Sequence, residues 1–327
     1  MTAGMTMAME PRVSVIVPFY NAAATIERTL RSLSAQAPAE AEFVFVNDGS
    51  TDSSASILRS FVDGDSYLRT RCVTVESEKR RGAATAARLG FRASTGRYVM
   101  RCDADDFLEP GAIARMLDAT DGERADVVIA PYIENRDGKR RIVDFACRPQ
   151  SLNDMPVDTL SFSVCNKLIR RSLLLNNGIE AFDGYDCWED LGVVSRVMSL
   201  GPRVAFVDEP MYNYMISSGS GSLTQSAAER IIADRLAVAS LVEQWMEKRG
   251  VAPAYGEFLD HLKFAAKVKM LRGKRKDVDR WLSTFPEING RIMKLRHVPL
   301  AYRLLFAAVA KLPAPLTKAV AGMFAGR

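Results

Sequence analysis

Three carboxylates fall within four residues, Asp103-Ala104-Asp105-Asp106, at the end of the strand-like run Arg97-Tyr98-Val99-Met100-Arg101-Cys102. Charges so close repel one another unless a cation or hydrogen-bond donors hold them. Hard oxygen ligands of this kind suit Mg2+ or Mn2+, ions that commonly stay bound partly through a substrate's phosphates. A second acid occupies a similar place upstream, where Asp48 closes the apolar run Phe43-Val44-Phe45-Val46-Asn47 and opens the turn Gly49-Ser50-Thr51-Asp52. Open α/β sheets bind ligands beyond the C-terminal ends of their strands. The two acidic elements together predict a metal-assisted nucleotide site.

Such a site needs a sheet to place it. Residues 13–17 form a β-branched run closed by Pro18, which reads as a buried strand. Residues 22–33 show apolar positions at helical spacing, residues 43–46 a second strand, and 53–61 a second helix. A third strand at 71–75, a small-residue helix near 83–91 and a strand at Tyr98, entered through Gly96, continue the series. This alternation predicts an α/β architecture with a largely parallel, right-handed wound sheet. A dinucleotide-binding dehydrogenase is excluded, because the turn after the first strand, Pro18-Phe19-Tyr20-Asn21, lacks the GxGxxG glycines. Further on, 126–133 and 139–145 read as strands joined by the turn Asn135-Arg136-Asp137-Gly138. Residues 164–175 and 188–200 read as helices, and 204–207 and 212–216 as short strands. The serine-glycine run at 217–222 reads as a mobile loop, followed by a long helix at 227–249 and more helices to the end.

At 327 residues the chain suits one large domain or a domain with an appendage. No stretch approaches the ~20 apolar residues of a spanning helix, and the amino end lacks a basic-then-apolar leader, so an exported or integral membrane protein is not expected. Five cysteines (72, 102, 147, 165 and 187) form no CxxC pair and read as reduced, buried thiols. With only His261 and His297, a histidine triad or His-ligated zinc is not expected either. The net charge of +5 is uneven: from His261 onward fifteen Lys and Arg face three acids, a net +12, against −7 for the rest.

The segments Val13-Ser14-Val15-Ile16-Val17-Pro18-Phe19-Tyr20-Asn21, Val46-Asn47-Asp48-Gly49-Ser50-Thr51-Asp52 and Asp103-Ala104-Asp105-Asp106, with Trp188-Glu189-Asp190-Leu191 downstream, closely resemble the signature of family 2 inverting glycosyltransferases. Order and spacing match over about residues 13–214. The resemblance implies a GT-A fold and transfer of one sugar from a nucleotide diphosphate sugar, a UDP-sugar foremost, to an acceptor hydroxyl during surface polysaccharide or glycolipid assembly. It implies nucleotide-sugar contacts at Pro18, Tyr20, Asn21, Asp48, Arg88, Asp103, Asp105 and Asp106, with Asp105 and Asp103 as metal-binding acids for Mn2+ or Mg2+. Asp48 is expected to accept a hydrogen bond from the base and Tyr20 to stack on it; the plainer readings are an Asx turn and strand-end packing. Arg88 is expected either at the diphosphate or acidic knot, or in a structural salt bridge. Asp106 is expected to support the sugar, and the whole knot has an alternative reading as a cap on the helix after Pro110. Asp190 matches the catalytic base and Glu189 a supporting residue; Trp188 and Lys167 are candidates for acceptor binding.

The expected domains are a catalytic region at 1–225, with a nucleotide-sugar half at about 12–110 and an acceptor half at about 111–225, and a basic helical region at 226–327. Two departures from the family pattern matter. The QxxRW element of processive synthases is absent, which favours single transfer, and Met215 stands where many relatives carry arginine. The basic end, with Lys263, Lys267, Lys269, Arg272, Lys274, Arg275 and Lys276, and the apolar run 300–312 read either as a face for anionic lipid or as a solvated face plus a docked helix. The expected location is cytoplasmic, with peripheral contact on the inner membrane face; the expected acceptor is a glycan or lipid-linked sugar, and no nucleic acid is expected. The rival readings are a catalytically silent glycosyltransferase-like scaffold and a sugar-nucleotide pyrophosphorylase, which lacks here the expected phosphate loop.

Overall fold

β1 (Val13–Phe19) and β2 (Ala41–Asn47) are β-branched and aromatic over most of their length and almost wholly buried, the pattern of interior parallel strands. The structure, a computed structural model, describes residues 10–36, 40–144, 148–149, 151–157, 160–216, 228–271 and 277–311. β1 and β2 pair in parallel from Val13↔Ala41 to Phe19↔Asn47, with α1 (Ile26–Ser34) in the crossover. α2 (Ser54–Gly64) and the single turn α3 (Ser66–Arg69) lead to β3 (Cys72–Glu76), parallel to β2. α4 (Ala83–Ala93) then returns to β4 (Tyr98–Arg101), parallel to β1 on its other side. α4 lies tight on the sheet: a Cβ on Gly90 would fall 2.3 Å from Ile16 Cγ2. Because β1, β2 and β4 run the same way, the loops bearing Tyr20, Asp48 and Asp103 leave the sheet on one edge.

After β5 (Phe107–Leu108) and α5 (Ala112–Asp118), β6 (Val127–Ile129) joins the large sheet. β7 (Tyr132–Arg136) and β8 (Lys139–Val143) form the expected hairpin through Asp137 and Gly138, both at positive φ. The expected strand at 126–133 is thus two strands in two sheets. β9 (Lys167–Arg170) and α6 (Arg171–Asn176) replace the helix expected at 164–175. β9 fits antiparallel between β4 and β6, pairing Ile169 with both Val99 and Val127. Short apolar runs do not separate strand from helix by periodicity alone. α7 (Glu189–Ser199), β10 (Val204–Phe206) and β11 (Tyr212–Ile216) follow. The seven-stranded sheet has the order β10-β6-β9-β4-β1-β2-β3, parallel except at β9, and the smaller sheet the order β5-β11-β7-β8.

The chain forms two compact units: Met1–Arg148, Ser163–Gly184 and Gly201–Ser220 make the first, and Pro149–Phe162, Tyr185–Leu200 and Gly221–Arg327 the second. In the second, α8 (Ala228–Lys248), α9 (Gly256–Val268), α10 (Val278–Ser283) and α11 (Leu300–Lys311) surround a core that includes Ile232, Leu271, Trp281 and Phe306. The basic end is less solvated than its sequence implies. Lys263 pairs with Glu243 at 2.6 Å and Glu287 at 2.9 Å, and Lys267 is fully buried. Arg272, Lys274, Arg275 and Lys276 lie outside the described residues, as do Cys147 and the serine-glycine run at 217–222. No helix among the described residues is long and apolar enough to cross a membrane.

Candidate functional site

Asp48 leaves β2 beside the end of β1, and its N–H donates to the Phe19 carbonyl at 2.9 Å. Its carboxylate is 4 % exposed and accepts backbone N–H bonds from Arg81 and Gly82, each at 2.8 Å. Those amides open α4, where an anion is favoured by the free N–H groups and the helix dipole. The acid predicted to meet a base therefore also fixes the 77–82 loop; a carboxylate oxygen holding one donor can accept another. That loop comes so near that a Cβ on Gly49, at φ +70°, would lie 2.5 Å from the Lys79 carbonyl carbon.

The loop after β1 is stitched to the same turn. Asn21, at φ +48°, accepts from Thr51 N–H at 2.8 Å and donates its own N–H to Ser50 Oγ at 3.1 Å. Asp52 accepts from Ala23 N–H and Ser54 N–H, both at 3.0 Å, so it ties the entry of α1 to that of α2. Pro18 is half-buried in β1. Tyr20 is exposed, and the Arg80 guanidinium stands 4.5 Å from its ring centroid. A cation and an aromatic surface thus arrive as a pair, suited to a ligand both aromatic and anionic.

The acids of the knot have three different surroundings. Asp106 is 1 % exposed; Tyr212 donates its hydroxyl to Oδ2 at 2.6 Å and Met215 its N–H to Oδ1 at 2.7 Å. Burial, then the charges of Asp103 and Asp105, push this carboxyl well above the ordinary range. Asp103 accepts from Arg101 Nε at 2.7 Å, and its N–H donates to the same Tyr212 hydroxyl at 3.1 Å. Asp105 reaches solvent but is crowded by protein, and desolvation followed by the charge of Asp103 raises its carboxyl. On the α1 side, Arg28 donates to the Asp105 carbonyl at 2.5 Å, and Thr29 Oγ1 lies 3.0 and 2.6 Å from the carbonyls of Ala104 and Asp106. The knot does not cap the next helix: α5 starts after Gly111, without a side-chain cap.

Among the described residues no three His, Cys, Asp or Glu side chains converge as a closed metal cage. Two adjacent carboxylates with no thiol or imidazole nonetheless suit Mg2+ or Mn2+ shared between protein and phosphates. Burial first and the charge of Asp103 second raise Asp105, and a cation there would relieve the second of these.

The other predicted residues have partners of their own. Arg88 lies 3.3 Å from Asp183 and 4.0 Å from Glu180, so of its two readings the ion pair is the one observed. Arg92 clasps Glu180 at 2.9 and 2.8 Å, and Thr85 donates to Asp183 at 2.9 Å. Lys167 is 1 % exposed and donates to Ser163 O at 2.6 Å and Asn166 Oδ1 at 2.8 Å. In the second unit, Glu189 is buried and Asp190 half-buried in the first turn of α7. Trp188 precedes them at φ +69°, a strained conformation for a bulky side chain, with the Arg235 guanidinium 4.4 Å from its ring. Arg28, Arg80 and Tyr212 escaped the sequence reading. Of these, only Arg80 left a local signal, the basic triplet Lys79-Arg80-Arg81 after β3.

The family profile described as glycosyl transferase family 2 matches residues 14–175. Glycosyltransferase GlyG of Streptococcus pneumoniae is 26 % identical over 65 % of this chain and 73 % of its own length. The succinoglycan biosynthesis protein ExoU of Rhizobium meliloti is 29 % identical over 66 % and 65 %. Among solved structures, S. aureus TarS 1-349 in complex with UDP-GlcNAc superposes with a TM-score of 0.64 at 19 % identity, covering 96 % of this chain and 91 % of that one. The mannosyltransferase PcManGT of Pyrobaculum calidifontis, in complex with GDP-Man and Mn2+, gives 0.54 at 20 % identity over 96 % and 86 %. The fold is that of these transferases.

Proposed function

We propose, from the premise that this chain is an enzyme of glycosyl transferase family 2, that it transfers one sugar from a UDP-sugar to an acceptor hydroxyl with inversion, in assembly of a surface polysaccharide or glycolipid. The observation that carries this reading is the meeting of the Asp48 turn and the acidic knot on one edge of the parallel sheet, with Tyr20 and Arg80 beside Asp48. The names of relatives such as the succinoglycan protein favour polysaccharide assembly, and UDP-GlcNAc in TarS favours a uridine donor.

In this reading Asp48 and Tyr20 receive the base, while Asp103 and Asp105 hold Mn2+ or Mg2+ together with the diphosphate. When bound, the ion supplies charge neutralisation for the leaving phosphate. Asp106 acts as a strut, since it is 1 % exposed and each oxygen holds a donor from β11. By family resemblance Asp190 takes the proton of the acceptor hydroxyl as that oxygen bonds to the anomeric carbon, the bond from that carbon to the diphosphate oxygen breaks, and UDP leaves. Glu189 supports the acid beside it, and Trp188 is the aromatic candidate for acceptor contact.

The lipid-facing reading moves from α9 to α11. Lys263 and Lys267 are paired or buried, whereas Leu300 and Leu304 are each 55 % exposed and Met293 42 %. From Ile288 to Arg327 the sequence has no acid, and the exposed Lys294 and Lys311 flank these apolar residues. Arg291 and Arg296 of this stretch pair with Asp260 and Glu257 of α9, so the exposed Lys294 and Lys311 are the charges offered beside the apolar residues. An apolar patch with such lysines suits anionic lipid, and with it a lipid-linked acceptor at an inner membrane face.

The test is thermal unfolding with UDP, GDP, dTDP or CMP, each with and without Mn2+, on wild type and Asp105→Asn. Ligand at ~100 times its dissociation constant adds about 2.7 kcal/mol. A shift with one nucleotide that needs metal and is lost in the variant supports the reading. A shift unaffected by metal and by the variant would remove the acidic knot from the donor site.

A further inference from the structure

Tyr212 is fully buried in β11, and its phenol oxygen has two partners on the acidic turn. It donates to Asp106 Oδ2 at 2.6 Å and accepts from the Asp103 N–H at 3.1 Å. Three residues along the same strand, Met215 N–H donates to the other oxygen of Asp106 at 2.7 Å. β11 thus grips the turn at three points, on both flanks of Asp105 and not through the Asp105 carboxylate. The strand is itself held on both sides, with Tyr212 opposite Leu108 of β5 and opposite Tyr132 of β7.

We propose that Tyr212 is a positioning residue whose hydroxyl sets the aim of Asp103 and Asp105 toward the cation and diphosphate. This rests on the glycosyltransferase reading for what the two acids bind, and on the hydrogen bonds alone for the tie. A phenol has one proton to give and lone pairs to accept, so a single oxygen joins the Asp103 amide to the Asp106 carboxylate in one direction. The α1 side holds the same turn by its carbonyls, through Arg28 and Thr29. Removal of the hydroxyl therefore leaves the turn in place and loosens the flank that carries Asp103, whose amide then has lost its acceptor while its carboxylate still holds Arg101. Misplacement of about 1 Å at such a centre costs on the order of 10²-fold in rate.

The test is Tyr212→Phe, which keeps the ring in its slot. UDP binding is titrated with and without Mn2+, well below the unfolding temperature, alongside backbone exchange of the ligand-free protein. The expected result is a roughly 10-fold or greater loss of UDP affinity in Mn2+, a higher Mn2+ requirement, unchanged metal-free binding and faster exchange over residues 102–106. A lower Tm with wild-type Mn2+-dependent binding would mean a structural role only and overturn the proposal. If wild type binds no UDP under any condition, the donor reading fails separately; the exchange rates then judge the tie, and equal protection in both proteins overturns it.

Discussion

Asp48→Asn separates the two duties that meet on one carboxylate. In the folded chain both oxygens are acceptors for backbone N–H groups, at 2.8 Å from Arg81 and 2.8 Å from Gly82. An asparagine keeps one acceptor and turns an NH2 toward the other amide, so one N–H bond becomes a donor–donor contact. A hydrogen bond to a charged group is worth about 1.5–3 kcal/mol net, and a buried group left without a partner costs about 1–3 kcal/mol. The structure around the turn leaves little room to relax, since Gly49 packs against Lys79 and Arg80 without space for a Cβ. The expected loss is about 2–4 kcal/mol, which for a domain of this size lowers Tm by about 5–10 °C. Thermal unfolding of wild type, Asp48→Asn and Asp48→Ala measures it, with the alanine variant losing both acceptors and falling further. Wild-type stability in the asparagine variant, combined with lost nucleotide binding, would refute the reasoning: the carboxylate would then belong to the ligand and not to the loop.

Four other outcomes follow from the same geometry. Asp190→Asn should reduce transfer by at least about 10²-fold, within the range of general-base catalysis, while Mn2+-dependent UDP binding, read by titration, stays within twofold or so. Lys267→Met should cost about 3 kcal/mol by thermal unfolding, because the ammonium donates to the carbonyls of Trp281, Thr284 and Phe285 and to Asn289 Oδ1 at 2.6–3.3 Å; burial lowers this lysine to about 8, against the opposing charge of Glu287. Leu300→Asp with Leu304→Asp should abolish sedimentation with phosphatidylserine vesicles and leave donor binding intact, whereas unchanged sedimentation would move any lipid contact off α11. Asp106, raised above its unfolded value, keeps its proton in the native state after the unfolded chain has released it near pH 4. Metal-free stability should therefore fall as pH climbs from about 4 toward the raised folded value, and Asp106→Asn should flatten that fall in a Tm series.

The parts of this site readable in the sequence are those whose chemistry and position are set by neighbours along the chain. The runs that became β1 and β2 announce themselves by β-branched composition, and Asp48 and Asp103 by closing such runs at the edge where ligands bind. β9 was not readable, because Lys167–Arg170 becomes a strand only when β4 and β6 offer Val99 and Val127 to Ile169. Arg88 shows the limit from the other side. Its segment matches a donor-site pattern, yet its guanidinium goes to Glu180 and Asp183, about ninety residues away. The division of labour within the acidic knot was equally hidden. Three aspartates in four residues look alike until Tyr212 and Met215, more than a hundred positions downstream, occupy both oxygens of Asp106 and leave Asp105 facing solvent. A motif therefore names which residues can do chemistry, while the partners that assign each acid its task come from strands folded back on it. Substituting the strand partner is accordingly a sharper test of the knot than substituting the knot: replacing any of the three acids removes a candidate ligand and a formal charge, whereas Tyr212→Phe leaves all three acids in place and removes only the hydroxyl that joins two of them.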